Sequence, residues 1–192
     1  MSFSQVQIIN LALGKLRAGT INSLEEKSVP AETATLYWPL ALDAVLSMHP
    51  WNFAAKTVAL ALVGPSDRQD WVYKYSQPSD CVVVRKIITA DRNAALIEFI
   101  VQSGHIYTDT EQVQIEYTAR PAEPGLIPAY FVEALTWQLA VQMADALSGD
   151  LTRRQQCATM YENTLSAARR VDAGEGAREA VIDPAWIRAR FA

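Results

Sequence analysis

Two histidines, His49 and His105, two cysteines, Cys81 and Cys157, and scattered carboxylates are the side chains best suited to proton transfer, nucleophilic attack or metal binding. Metal capture needs further ligands at fixed spacing, and neither an HExxH helix nor paired CxxC turns occur. A serine nucleophile needs a base and a group to orient it. There is no GxSxG elbow, and Ser103-Gly104-His105 reads as a turn entering a strand. Glu25-Glu26 and Asp109 with Glu111 lie in polar runs, where solvation denies them the unequal environments of an acid–base pair. Gly174-Glu175-Gly176 follows a helix, whereas a dinucleotide-binding glycine loop follows a strand. The expectation is a chain that is not an enzyme, with no catalytic, cofactor-binding or metal-binding residue and no cofactor.

Aromatic residues offer a different chemistry. Trp71, Tyr73 and Tyr75 alternate along a strand-like run and could stack single-stranded bases, with Lys74, Arg85 and Lys86 near them; the same rings could equally form a core or a protein contact. Seventeen basic against 21 acidic residues give a formal charge of −4, without the basic stripe that a phosphate-gripping surface normally carries. A single-stranded nucleic-acid-binding module is therefore a secondary alternative.

These residues must be held by elements whose limits are legible. Ser4 to Gln7 has a capping pattern, and Val6, Ile9, Leu13 and Leu16 recur on one face, predicting a helix over 5–17 that ends near Gly19. A second helix begins around Pro30, buries Thr33, Tyr37, Leu40, Ala44 and Leu46 or Ser47, and stops before Pro50. His49 then sits at a helix end, where it can meet free carbonyls, and His49-Pro50-Trp51 reads as a corner. Extended runs follow at 57–63, 71–75, 81–88, 95–101, 105–107 and 113–117, an antiparallel β-rich insert of about four to six strands. Loops 65–70 and 108–112 are candidate contacts that also read as plain solvent loops.

Helical spacing returns over 128–147, with Phe131, Leu135, Leu139, Met143 and Ala146 on one face. Asp150 caps a last helix, in which Cys157, Tyr161, Leu165 and Ala168 repeat the buried spacing up to about Val171. The fold class expected is α+β. A helical bundle-like domain is formed from residues 4–54 and 126–172, a β-rich insertion spans 55–120, and an extended tail occupies 173–192. The tail holds Trp186, Ile187, Arg188 and Phe191, large groups that either fold back or dock on a partner. No apolar run reaches the length of about 18 residues that spans a bilayer, so no membrane partner is expected. The start MSFSQVQ lacks the pattern of a secretory signal, and synthesis in a cytoplasm is expected.

Three stretches then combine: Ile9-Asn10-Leu11-Ala12-Leu13-Gly14-Lys15-Leu16, Ile21 to Glu26, and Leu46-Ser47-Met48-His49-Pro50-Trp51-Asn52-Phe53-Ala54. With Trp71 to Cys81 and Ala134 to Ala140, they resemble the tail tubular protein A family, the gatekeepers or head-to-tail adaptors of short-tailed phages. The most specific pieces are the HPWNFA corner and the YKYSQPSDC run. The resemblance implies a virion protein that forms a ring of about twelve copies beneath the portal ring, in a closed head-to-tail contact. Such a ring extends the DNA channel and receives the nozzle or next tail component; genomic DNA passes without sequence recognition. Its place is the virion neck or tail, after synthesis and assembly in the cytoplasm of the host bacterium. A non-viral oligomeric scaffold is the alternative.

Within the resemblance, residues take expected roles. His49, Pro50, Trp51 and Phe53 form a structural corner, with Pro50, Trp51 and Phe53 anchored against the first strand of the insert, while Tyr73, Tyr75 and Pro78 shape a strand entrance and turn. Gln138, Gln142, Arg153, Arg154, Arg169 and Arg170 are the expected ring interface, and Trp186, Ile187, Arg188 and Phe191 the expected portal-docking segment. Repeated around a ring, the negative charge favours an acidic channel along which DNA slides, provided the acids face inward.

Overall fold

A computed structural model describes residues 3–88 and 97–176. Four α-helices and seven β-strands occur among them: α1 (Gln5–Leu16), α2 (Val29–Ser47), β1 (Ala55–Ala59), β2 (Leu62–Pro65), β3 (Tyr73–Ser76), β4 (Cys81–Ile88), β5 (Ile100–Gln102), β6 (His105–Thr108), β7 (Gln114–Ala119), α3 (Ala129–Leu147) and α4 (Leu151–Glu175). The fold is α+β, with α1 and α2 packing together with α3 and α4, and the antiparallel strands inserted between the two halves.

Helix limits follow from local chemistry. Ser4 and Gln7 form a reciprocal capping box at the start of α1, and Arg17 closes its end in a left-handed conformation. The Ser28 hydroxyl caps α2, with Pro30 in the first turn where a missing N–H is harmless. The Asp150 carboxylate accepts from the Thr152 and Arg153 amides at the head of α4. Between α3 and α4 the chain reverses through Gly149, whose φ of 59° lies where a side chain is strained, and its N–H donates to the Ala144 carbonyl.

Helix α3 is the element against which α1, α2 and α4 all pack. Its buried face holds Phe131, Leu135, Leu139 and Met143 as the spacing predicts, but Ala146 is exposed, because α3 is leaving the core by then. On α2 the predicted stripe is displaced. Ala31, Ala34, Trp38, Ala41, Leu42, Val45 and Leu46 face the core, whereas Leu40 points outward with Leu36, so nearly apolar α2 gave periodicity no clear polar face to reject. In α4, Cys157, Leu165 and Ala168 are buried and Tyr161 half-buried. That helix runs to Glu175, beyond the expected stop near Val171 and past the boundary placed at 172, and Asp172 is buried within it.

The seven strands form two antiparallel sheets, one ordered β1-β7-β4 and the other β2-β3-β6-β5. The run 57–63 is therefore two strands rather than one. The chain leaves the first sheet after Ala59 and joins the second at Leu62, with the Leu60 amide bonded to the Val113 carbonyl and the Ser76 amide to the Ala61 carbonyl. β5 and β6 turn at Ser103 and Gly104, both at positive φ as a two-residue hairpin requires. Tyr75, Ile87, Ile106, Ile115 and Tyr117 form a core separate from that of the helices. No helix among the described residues is long and apolar enough to cross a membrane.

Candidate functional site: the joint between helices and sheets

The corner after α2 is where helices and sheets are fastened. Met48 ends the helix, and a single 3₁₀ turn, Asn52–Ala54, redirects the chain into β1. Pro50 lies on the surface, while Trp51 is completely buried. The indole N–H donates to the Val45 carbonyl at 2.9 Å, one turn back in α2, so the polar end of a large apolar ring is satisfied. The ring meets Phe131 edge-on with centroids 5.0 Å apart, and Phe53 meets Phe131 at 4.9 Å.

This corrects the expected anchoring of Pro50, Trp51 and Phe53 on the first strand. The aromatic corner sits in the helical core, and all of β1 is exposed. Aromatic area is best buried where α3 offers Phe131 and Tyr130, and β1 as an edge strand offers no comparable cover.

A carboxylate from the far end of the chain locks the corner. Asp172 on α4, 1% exposed, has its Oδ2 3.0 Å from His49 Nε2. Its Oδ1 accepts the Asn52 backbone N–H at 2.9 Å and the Tyr130 hydroxyl at 3.2 Å, and its carbonyl accepts from Asn52 Nδ2 at 2.6 Å. A buried carboxylate is tolerated because this many donors replace the lost water. His49 therefore meets a carboxylate rather than the helix-end carbonyls expected for it. Arg169, one turn earlier on α4, donates to the Met48 carbonyl at 2.8 Å and covers the helix end itself. The Tyr130 hydroxyl also reaches Glu175 at 3.0 Å; burial, then the two carboxylates, push it well above the ordinary tyrosine range.

The same corner is tied to the sheet by a guanidinium. Arg85 on β4 donates from Nη2 to the Trp51 carbonyl at 2.6 Å and from Nε to the Thr118 hydroxyl at 3.0 Å, with Glu116 3.5 Å away on β7. Burial draws Arg85 below its usual range, and Glu116 and Asp172 oppose that shift. A second tie is the two-pronged Arg120–Asp43 pair, at 2.6 and 2.7 Å, from just beyond β7 to α2. The two cores thus meet through a largely polar joint, with Val82 the sheet residue that packs on the helical core.

Other expected site residues fall into place around this joint. Tyr75 is buried and donates to the Thr110 carbonyl, and Lys74 pairs with Asp67, so the 71–75 run is not a free stacking platform. Arg85 is engaged as described, and Lys86 sits 3.1 Å from Glu116. Beside the joint lies a cleft of about 460 Å³, lined by Trp71, Phe99, Arg85, Lys86 and Glu98 among others, whose two cations share the Glu116 carboxylate. Pro78 shapes the turn into β4, its carbonyl accepting the Cys81 N–H.

Of the expected ring-interface residues, Arg154 and Arg170 are exposed. Gln138, Gln142, Arg153 and Arg169 are half-buried instead, since the sides of α3 are covered by three neighbours and the two arginines reach α1 and α2 within the chain. Trp186, Ile187, Arg188 and Phe191 lie outside the described residues. Among the described residues no group of three or more potential metal ligands occurs.

Sequence reasoning missed Asp172, Asn52, Tyr130 and Arg85 as parts of one assembly. Only the corner read at His49-Pro50-Trp51 pointed to this place in the chain. It also missed Asn10, whose amide exchanges two 2.9 Å bonds with the Ile21 backbone and pins the following loop to α1. What this geometry does chemically is hold three distant segments together. The search of protein-family models finds none that matches this chain, and the search of curated proteins finds no match either.

Proposed function

We propose that this chain is a structural head-to-tail connector of a bacteriophage, copies of which close into a ring of about twelve beneath the portal. The ring extends the DNA channel and gives the nozzle or next tail component its platform. Its place is the virion neck, and its work is assembly, with no bond made or broken.

The observation that carries the reading is the split helical unit. Its halves, α1–α2 and α3–α4, are separated in sequence by the β insertion and rejoined by the corner at Trp51, the arrangement that the family resemblance implies. Of the two stretches that give the resemblance its specificity, one supplies Trp51 and Phe53 to the core at the joint, and the other supplies Pro78 and Asp80 to the turn into β4.

The test is to mix the purified chain with the portal ring encoded near its gene and to weigh the isolated complex. The connector reading expects about twelve copies per portal. If a folded portal recruits none, that reading fails and a non-viral oligomeric scaffold replaces it. A version ending before Asp183 assigns the docking role: loss of recruitment puts it on Trp186 and its neighbours, and retention puts it on the helical unit.

A further inference from the structure

The helices are sealed inside but uneven outside. On α2, Val29, Leu36 and Leu40 are 65%, 63% and 57% exposed, and with Glu32 and Asp43 they fall on one outward stripe at helical spacing. Helix α2 contains no lysine or arginine; Asp43 is matched by Arg120 from beyond β7, so Glu32 is the acid of this stripe with no ion-pair partner among the described residues. Pro39 lies in the same stripe and has no N–H, which leaves the Thr35 carbonyl without its usual helical donor.

A second face has the opposite character. The end of α1 and the start of α4 meet where Arg153 reaches the Lys15 carbonyl. Leu151 is 64% exposed in the first turn of α4, which also carries Arg153 and Arg154, and the end of α1 brings Lys15, its ammonium over the Trp137 ring, and Arg17. Asp145 and Asp150 engage two of these cations, and among the described residues no carboxylate lies within ion-pair distance of Arg17.

We propose that these are the two halves of one self-association contact, with α2 of one copy seated on the Leu151 face of the next. Charge complementarity selects this pairing, because it sets Glu32 toward the face that carries Arg17, whereas α2 against α2 would bring two Glu32 carboxylates together. Two unlike, complementary faces on one chain are not both satisfied within a single pair, so the contact propagates head to tail. The inference rests on the connector reading and moves the main contact from Gln138 and Gln142 to α2.

Two introduced cysteines test it in the full chain, alone at high concentration and with the portal ring, using a short bismaleimide. Cys81 and Cys157 are buried, and burial raises both thiols, so the unaltered chain should give no adduct. Leu36→Cys combined with Leu151→Cys should give a ladder of multimers, and a mixture of the two single variants should stop at dimers. Leu36→Glu should keep the thermal midpoint, because the site is exposed, and weaken self-association at least about tenfold. Dimers from Leu36→Cys alone would overturn the head-to-tail pairing. Absence of adducts, on portals that carry the protein or without them, would overturn the contact while recruitment itself still upholds the connector. A ladder without recruitment upholds the contact and removes the portal assignment.

Discussion

The helical unit and the β insertion solve the problem of burial differently. The helices share a continuous core centred on Trp51, Phe131, Leu135 and Met143. The strands divide their burial between two small sheets, leave β1 uncovered, and expose Leu62, Val63, Val72 and Val101. Thus stability is concentrated in the discontinuous part of the chain, and the continuous insertion hangs from it by Arg85, Arg120 and the packing of Val82. Interfaces of this polar kind permit relative motion, whereas a shared apolar core would forbid it.

The sharpest way to break the contrast is Trp51→Ala, which removes the ring common to both halves of the helical unit and its bond to Val45. A loss of about 3 to 5 kcal/mol is expected, read from urea unfolding followed by helical circular dichroism. Ile106→Ala empties the β core instead and should cost about 2 to 4 kcal/mol. Hydrogen exchange should then quicken in β3 and β6 while α3 amides stay protected; equal acceleration in α3 would mean that the two cores act as one.

Asp172→Asn keeps the shape but leaves His49 or Asn52 without its charged acceptor. About 1 to 3 kcal/mol is expected, with faster exchange at the end of α4 and at the corner.

The smallest effect concerns the half-exposed ion pair that closes the first sheet. Lys56 at 2.6 Å, then the Tyr117 hydroxyl, hold Asp80 below its ordinary value of 3.8, while burial and Asp80 push Tyr117 up to about 12. A depressed carboxylate contributes stability above its unfolded value and loses it as pH falls below that value. Asp80→Asn should therefore cost no more than about 1 kcal/mol at neutral pH, and less as the pH is lowered through 4. A constant difference in unfolding midpoint between pH 3 and 7 would count against the pairing.

How far the sequence revealed this molecule depended on the range of the cause. Ser4, Ser28 and Asp150 announce helix starts because a cap acts within three residues, and Cys81–Ile88 is a strand in both readings because its apolar run is bounded by turns. The split at Leu60-Ala61 was hidden, since no glycine or proline marks the place where the chain changes sheets. Trp51 was recognisable as structural from its place after a helix stop. Asp172 was not, because an acidic residue on a helix announces water, and its partners His49 and Asn52 lie more than a hundred positions earlier.

The rejoined helical unit also sets an order of events during synthesis. Trp51 leaves the ribosome about 80 residues before Phe131, an interval of roughly ten seconds at common elongation rates, and Asp172 comes later still. Through that interval α1 and α2 have no α3 to cover their apolar faces, and closing the long intervening loop is entropically costly until the strands have drawn its ends together. The insertion thus serves as a folding spacer for the helices, and nascent chains halted before residue 129 are the species most exposed to aggregation and most in need of a chaperone.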